Sequence, residues 1–276
     1  METILVLTDF SKKAENAALY ALRLAEKTHA KIILFHLYDY FHSPNLPDPD
    51  PKSKDRYNVV RNESLLELNK IKQYLETHSK QAEFKPDITI LNNFGLDLAS
   101  SVRELVMENK VDLIIMGSKG DNAVSHLFYG SDAYGVLDNA GCPILFVPIT
   151  CCFDPVETIV FANDLKKDYN KAINFLTYIA RIDNSHIILT HFGEYDGKAG
   201  RCLNLIKQAS EYVNVTSRLI PLKDIGKQLK EFSVSVGADL VVMIHHRGAS
   251  FEKFISGSKS KRLIDHNRTP LLILPD

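Results

Sequence analysis

Short, continuous apolar runs punctuate the chain: Ile4–Leu7, Ile32–Phe35, Ile88–Leu91, Leu113–Met116 and Ile144–Val147. A run without polar alternation predicts a strand buried on both faces, as in a parallel sheet covered by helices. Between these runs the apolar positions take a helical period. Ala14, Ala17, Ala18, Ala21, Leu22 and Ala25 form one stripe, and Ser11 before it is a suitable N-cap. Leu98, Val102, Leu105 and Val106 form another and predict a helix over Leu98–Asn109. Strands alternating with such helices predict an α/β fold with a doubly wound parallel sheet. In these sheets ligands bind beyond the carboxyl ends of the strands.

The pattern then repeats. Thr3–Ser11 (TILVLTDFS) matches Thr158–Lys166 (TIVFANDLK), and Ile32–His36 matches Ile187–His191, both 155 positions later. Further on, Val111–Met116 matches Ala238–Met243, Gly130-Ser131 matches Gly257-Ser258, and Cys142–Pro148 matches Thr269–Pro275, all 127 positions later. The chain therefore divides into two tandem domains, 1–149 and 150–276, each with a five-stranded sheet. The second is shorter by the 28 residues separating those two offsets. The extra residues of the first copy fall at Tyr38–Arg61, where Pro44, Pro47, Pro49 and Pro51 predict an exposed, stiffened loop leading into a long helix.

Composition narrows the function. Of 276 residues, 45% are hydrophobic and 24% charged, and the formal net charge is −1. That balance suits a globular protein and supplies no global basic field for nucleic acid. No apolar run of about 18 residues predicts a membrane span. Met1-Glu2-Thr3-Ile4 leads straight into a strand without a basic leader, so a cytoplasmic protein without a signal peptide is expected. Cys142, Cys151, Cys152 and Cys202 form no CxxC pair and are expected to be free thiols.

The chemistry concentrates in MGSKGDNAVSHLFYGSD, Met116–Asp132. Gly117 and Gly120 bracket a turn at the end of a predicted strand, where a missing Cβ lets backbone N–H groups approach a ligand. Gly130-Ser131 then opens a predicted helix, Asp132–Asn139, with Ser131 as N-cap, and a helix N-terminus favours a phosphate. The same glycines also serve as plain turn and capping residues. Lys119 is misplaced for a Walker loop, and no GxGxxG follows a strand. Asp9 ends the first strand at the same sheet edge. Its carboxylate can accept from an adenine amine or a ribose hydroxyl, or support the following helix.

TDFS at Thr8–Ser11, Ile33–Leu37, DLIIMGSKG at Asp112–Gly120, GSD at Gly130–Asp132 and CPILFVP at Cys142–Pro148 together resemble the universal stress protein family, in its tandem two-domain form. Its ATP-binding signature, G-x2-G-x9-G-S/T, is similar in residue and spacing to Gly117-x2-Gly120-x9-Gly130-Ser131. The resemblance implies an adenine nucleotide α-hydrolase-like fold of five parallel strands per domain. It implies ATP as ligand, with Asp9 and the Leu37 backbone at adenine and Gly117 near ribose. Met116, Gly120, Gly130, Ser131 and Asp132 would surround the phosphates. Asp132 beside phosphates costs affinity unless a divalent ion such as Mg²⁺ bridges them. The fifth strands, Ile144–Val147 and Leu271–Leu274, are expected to meet and form an intramolecular pseudo-dimer, which removes two open edges. A homodimer and a protein partner are compatible with this arrangement.

The second copy departs from the signature. Ile244 stands in place of Gly117 and Arg247 in place of Gly120, while Gly257-Ser258 remains and Asp164 replaces Asp9. Only the first copy is expected to hold ATP. Lys253, Lys259, Lys261 and Arg262 make the second helix start basic, suited to a smaller anion or to solvent. Adjacent His245 and His246 on an extended strand point to opposite sides and make a poor metal pair. His36 and His191 recur at equivalent strand ends and suggest a shared structural hydrogen bond. No Ser-His-Asp order, HExxH or paired-carboxylate motif is present. The expected function is a stress-response, ATP-binding regulatory protein. The alternatives are a slow ATPase or self-phosphorylating protein, with Ser131 as acceptor, and a nucleotide-free scaffold.

Overall fold

The computed structural model describes residues 1–39, 54–79, 83–118, 131–163, 169–192, 198–209, 213–220, 225–245 and 269–276. Gly120 and Gly130 lie outside these residues, as do Asp164, Arg247, His246 and the basic cluster at 253–262. The chain divides into two compact units, Met1–Gly117 with Gly130–Cys142, and Ser118–Tyr129 with Pro143–Asp276.

In the first unit β1 (Thr3–Leu7), β2 (Lys31–Tyr38), β3 (Ile88–Phe94) and β4 (Leu113–Ser118) form a parallel sheet in the order β3-β2-β1-β4. Each contains the apolar run that predicted it. All five residues of β1 are buried, because helices cover both faces. Helix α1 (Lys12–Thr28) buries the alanine stripe together with Tyr20 and Leu24. Helix α3 (Leu98–Asn109) buries Val102 and Leu105. Helix α2 (Lys54–His78) takes in the last eight residues of the predicted loop, so that part of the insertion is helical. Helix α4 spans Ser131–Asn139. Ser131, the expected cap, is the first described residue of this helix, and Gly130 before it lies outside the described residues.

The second unit repeats the plan with β6 (Thr158–Asn163), β7 (His186–Phe192), β8 (Val215–Ile220), β9 (Leu240–His245) and β10 (Leu271–Pro275). These five strands are parallel in the order β10-β9-β6-β7-β8. Helices α5 (Asn170–Ile182), α6 (Lys198–Ala209) and α7 (Ile225–Ser235) connect them. Strand β5 (Ile144–Pro148), the expected fifth strand of the first copy, groups with this unit. It pairs antiparallel with β10, Leu271 opposite Phe146 and Ile273 opposite Ile144.

The duplication extends to single hydrogen bonds at the amino ends of the strands. Asp112 Oδ2 accepts the backbone N–H groups of Glu2 (2.5 Å) and Thr3 (3.0 Å). Asp239 Oδ2 accepts those of Glu157 (3.0 Å) and Thr158 (2.9 Å). In both units the same aspartate donates its own N–H back, Asp112 to Thr3 O at 3.0 Å and Asp239 to Thr158 O at 2.9 Å. Ile32 N–H to Asp87 O and Ile187 N–H to Asn214 O, both 2.8 Å, form another matched pair. One carboxylate in each unit therefore satisfies two donors at the entry to a strand.

Asp112→Ala and Asp239→Ala should each destabilise the protein by about 1–3 kcal/mol, the scale of lost charge-assisted hydrogen bonds. Urea denaturation of the two single variants checks this.

Candidate functional site

The strand order of the first unit reverses between β1 and β4. Chain leaving β1 passes to β2 and β3 on one side and returns to β4 on the other. The carboxyl ends flanking this reversal are where an open α/β sheet forms its ligand crevice. Asp9 follows β1, Leu37 lies near the end of β2, and Met116 and Gly117 lie near the end of β4. Four of the expected residues thus come from three neighbouring strands. Ser131 and Asp132 open α4 in the backbone, and their side chains lie outside the described residues.

Only four residues, Thr8–Ser11, join β1 to α1, and their polar side chains shape the turn. Thr8 Oγ1 accepts the Phe10 N–H at 3.0 Å, and Asp9 Oδ1 accepts the Ser11 N–H at 3.1 Å. The Ser11 hydroxyl also donates to Asp9 Oδ1. Such side-chain bonds two residues ahead replace the ladder as a strand ends. Ser11 caps α1 as expected, its Oγ accepting Ala14 N–H at 3.4 Å. Phe10 takes a left-handed backbone, φ 60°. His29, Lys110 and Asn184 share that conformation, but they sit at the ends of α1, α3 and α5, where it is ordinary. Phe10 instead adopts it before a helix.

His36 holds this turn to β2. Its Nδ1 lies 2.7 Å from Thr8 O. A carbonyl only accepts, so Nδ1 carries the proton. The Phe10 and His36 rings are 4.2 Å apart, centroid to centroid, tilted by 41°. Burial pushes the His36 pKa below the usual value of 6.5, against the opposing pull of the Thr8 carbonyl and the Asp9 and Asp39 carboxylates. The histidine recurrence between the copies pointed to a structural hydrogen bond, and in the first unit this is that bond. The left-handed Phe10 carried no signal beyond the turn-forming Thr-Asp-x-Ser pattern.

Asp9 is partly desolvated, which raises its pKa, but the Ser11 hydroxyl and N–H and the Lys13 ammonium outweigh this and leave it below 3.8. Lys13 Nζ is 3.1 Å from Oδ2, and the Asp9 side chain keeps 55% of its exposure. The carboxylate supports the helix start, and its remaining acceptor capacity faces solvent.

Gly117 has a packing reason beside the expected ligand approach. It lies in β4, and a Cβ there would meet Lys13 O at 2.4 Å, Lys13 C at 2.5 Å and Ala14 N at 2.8 Å. The first turn of α1 occupies the space a side chain would need. In the second unit the matching residue, Ile244, is a buried part of β9, only 9% exposed. Helix α5 begins at Asn170, three residues beyond the position that matches Lys12, and its cap residue Tyr169 makes no side-chain cap bond. Asn163 stands where Thr8 does, and its Nδ2 donates to Cys202 Sγ at 3.6 Å.

Among the described residues, no group of three or more His, Cys, Asp or Glu is placed to hold a metal, and no helix is long and apolar enough to cross a membrane. Cys142, Cys151 and Cys202 are buried free cysteines, and Cys152 is an exposed one. Burial pushes the Cys142 and Cys151 thiols up to about 12, so neither is a nucleophile at neutral pH.

Residues 1–148 match the universal stress protein family, so this two-unit α/β chain belongs to that family. A universal stress protein of Thermus aquaticus is 28% identical over 146 residues, covering 53% of this chain and 98% of its own. One from Methanocaldococcus jannaschii is 27% identical over 150 residues, covering 52% of this chain and 80% of its own. The crystal structure of a universal stress protein from Archaeoglobus fulgidus superposes with a TM-score of 0.73 at 15% identity, covering 99% of this chain and 98% of that one. A putative universal stress protein of Pseudomonas aeruginosa gives 0.57 at 15% identity, with 100% and 93% coverage. These structures share the fold over both copies.

Gly117→Ala should destabilise the ligand-free protein by about 1–3 kcal/mol, as overpacking against backbone does, and thermal unfolding without nucleotide measures it. His36 supplies a pH test. The unfolded chain takes up its proton near 6.5 and the folded chain only at lower pH, so stability is full above 6.5 and falls as the pH drops towards the folded value. Between about pH 7.5 and 5.5 the urea midpoint of the wild type should fall more steeply than that of His36→Asn.

Proposed function

We propose that the first copy, residues 1–149, binds ATP and that the second, residues 150–276, is a non-binding partner domain, the whole acting as a nucleotide-dependent regulatory protein. The observation that carries this reading is the position of Asp9, Leu37, Met116 and Gly117 at the carboxyl ends of three adjacent parallel strands, around the point where strand order reverses. Asp9 retains exposed acceptor capacity for an adenine amine or ribose hydroxyl. Leu37 offers its backbone to the base. Met116, Gly120, Gly130, Ser131 and Asp132 carry the phosphate end, with Mg²⁺ offsetting the Asp132 charge.

The asymmetry rests on Ile244. It puts a buried side chain at the strand position where, in the first copy, the Lys13 and Ala14 backbone closes on Gly117, and the matching helix begins later. The β5–β10 pairing supports the second copy as an intramolecular partner, since it gives each strand a neighbour along an edge that would otherwise be open.

Isothermal titration calorimetry with ATP, with and without Mg²⁺, tests the reading. One ATP per chain is expected, with an affinity about tenfold weaker in Asp9→Ala. No binding, together with no adenine nucleotide released from the purified protein, rejects the proposal. Two ATP per chain rejects the asymmetry. Linear ADP formation by the wild type would instead favour the slow ATPase.

A further inference from the structure

Asp9 and Leu37 stand at the ends of two neighbouring strands, and their separation is not set by the sheet alone. The ladder bond from Thr8 N–H to Phe35 O, 3.0 Å, is followed by the turn. Beyond it, the β1–α1 turn is tied to the end of β2 by His36, the residue immediately before Leu37. Its Nδ1–H donates to Thr8 O, the carbonyl immediately before Asp9. Its ring also carries the ring of Phe10, the residue immediately after Asp9. One side chain thus grips both neighbours of Asp9 from the position adjoining Leu37.

The grip has a conformational cost to offset. Phe10 at φ 60° is a non-glycine residue in the left-handed region, where its Cβ crowds the backbone. Two things oppose relaxation of that backbone. The Thr8 hydroxyl holds the Phe10 N–H, and His36 provides the surface on which the Phe10 ring rests. The groups charged near the imidazole are Asp9 and Asp39, with Lys13 paired to Asp9 on the helix side. None of them replaces the Nδ1–H donor, since carboxylates only accept and Lys13 is already engaged.

We propose that His36 is a positioning residue for nucleotide binding: through its Nδ1–H bond to Thr8 O and its contact with Phe10 it fixes Asp9 relative to the Leu37 backbone. It acts through these neighbours and not by touching the nucleotide. The proposal rests on the ATP-binding reading, and its test contains one arm that does not.

Three replacements separate donor position from bulk. The amide nitrogen of Asn overlies Nδ1, that of Gln overlies Nε2, and Leu keeps apolar volume without a donor. In calorimetry, His36→Asn should bind ATP within about threefold of the wild type, while His36→Gln and His36→Leu lose about five- to tenfold, the scale of one hydrogen bond. In amide hydrogen exchange of the ligand-free proteins, protection of the Phe10 and Ser11 N–H groups should survive in His36→Asn and drop about tenfold in His36→Leu. A merely structural role predicts losses that follow the unfolding temperature, whatever donor is present. Wild-type affinity in His36→Leu overturns the proposal, as does an equal loss in His36→Asn and His36→Leu. If the wild type binds no ATP, the functional reading fails by itself. The exchange arm still decides the clamp, and unchanged protection in His36→Leu refutes it.

Discussion

Helix α1 starts against β4. No Cβ fits at Gly117 because the backbone of Lys13 and Ala14 already fills the place, and much of the first unit's carboxyl edge follows from that contact. With the helix start fixed there, four residues must carry the chain from the end of β1 to Lys12. Extended backbone cannot reverse so quickly. The turn therefore borrows side-chain acceptors from Thr8 and Asp9, sets Phe10 in the left-handed region and finishes on the Ser11 cap. Side-chain chemistry at positions 8–11 is the means by which a close helix–strand contact is reached.

The second unit differs at the matching position. Ile244 brings a full side chain into β9, α5 opens later, and its first turn lacks a hydroxyl cap. Polar residues at the corresponding strand ends turn inward: Asn163 to Cys202, and the Thr190 hydroxyl to Phe161 O. The glycine-to-isoleucine difference at this position thus goes together with a different helix start and different polar bonds at the strand ends.

Much of this architecture was legible in the residues. Continuous apolar runs marked the strands because a sheet covered on both faces leaves no polar position. The alanine stripe marked α1, and the two offsets marked the duplication. The rest depended on contacts that sequence does not encode locally. A glycine demanded by an approaching helix reads the same as one demanded by a ligand, so the helix contact at Gly117 was not legible beside the ligand reading. The grouping of β5 depended on its distant partner, β10. The left-handed Phe10 was hidden because a phenylalanine carries no preference for that conformation and is held there by residues 8 and 36. The long helix α2 absorbed part of a segment whose prolines pointed to loop, since all four prolines precede its first residue.

The paired aspartates divide the sheet into two histories. At the amino ends of the strands, Asp112 and Asp239 make the same backbone bonds in both units, so the inherited copies still agree there atom for atom. At the carboxyl ends they have diverged in glycine content, helix start and polar packing. A duplicated gene thereby carries its own internal comparison. One end of the strands carries the same bonds in both halves, and the other end is built differently in each.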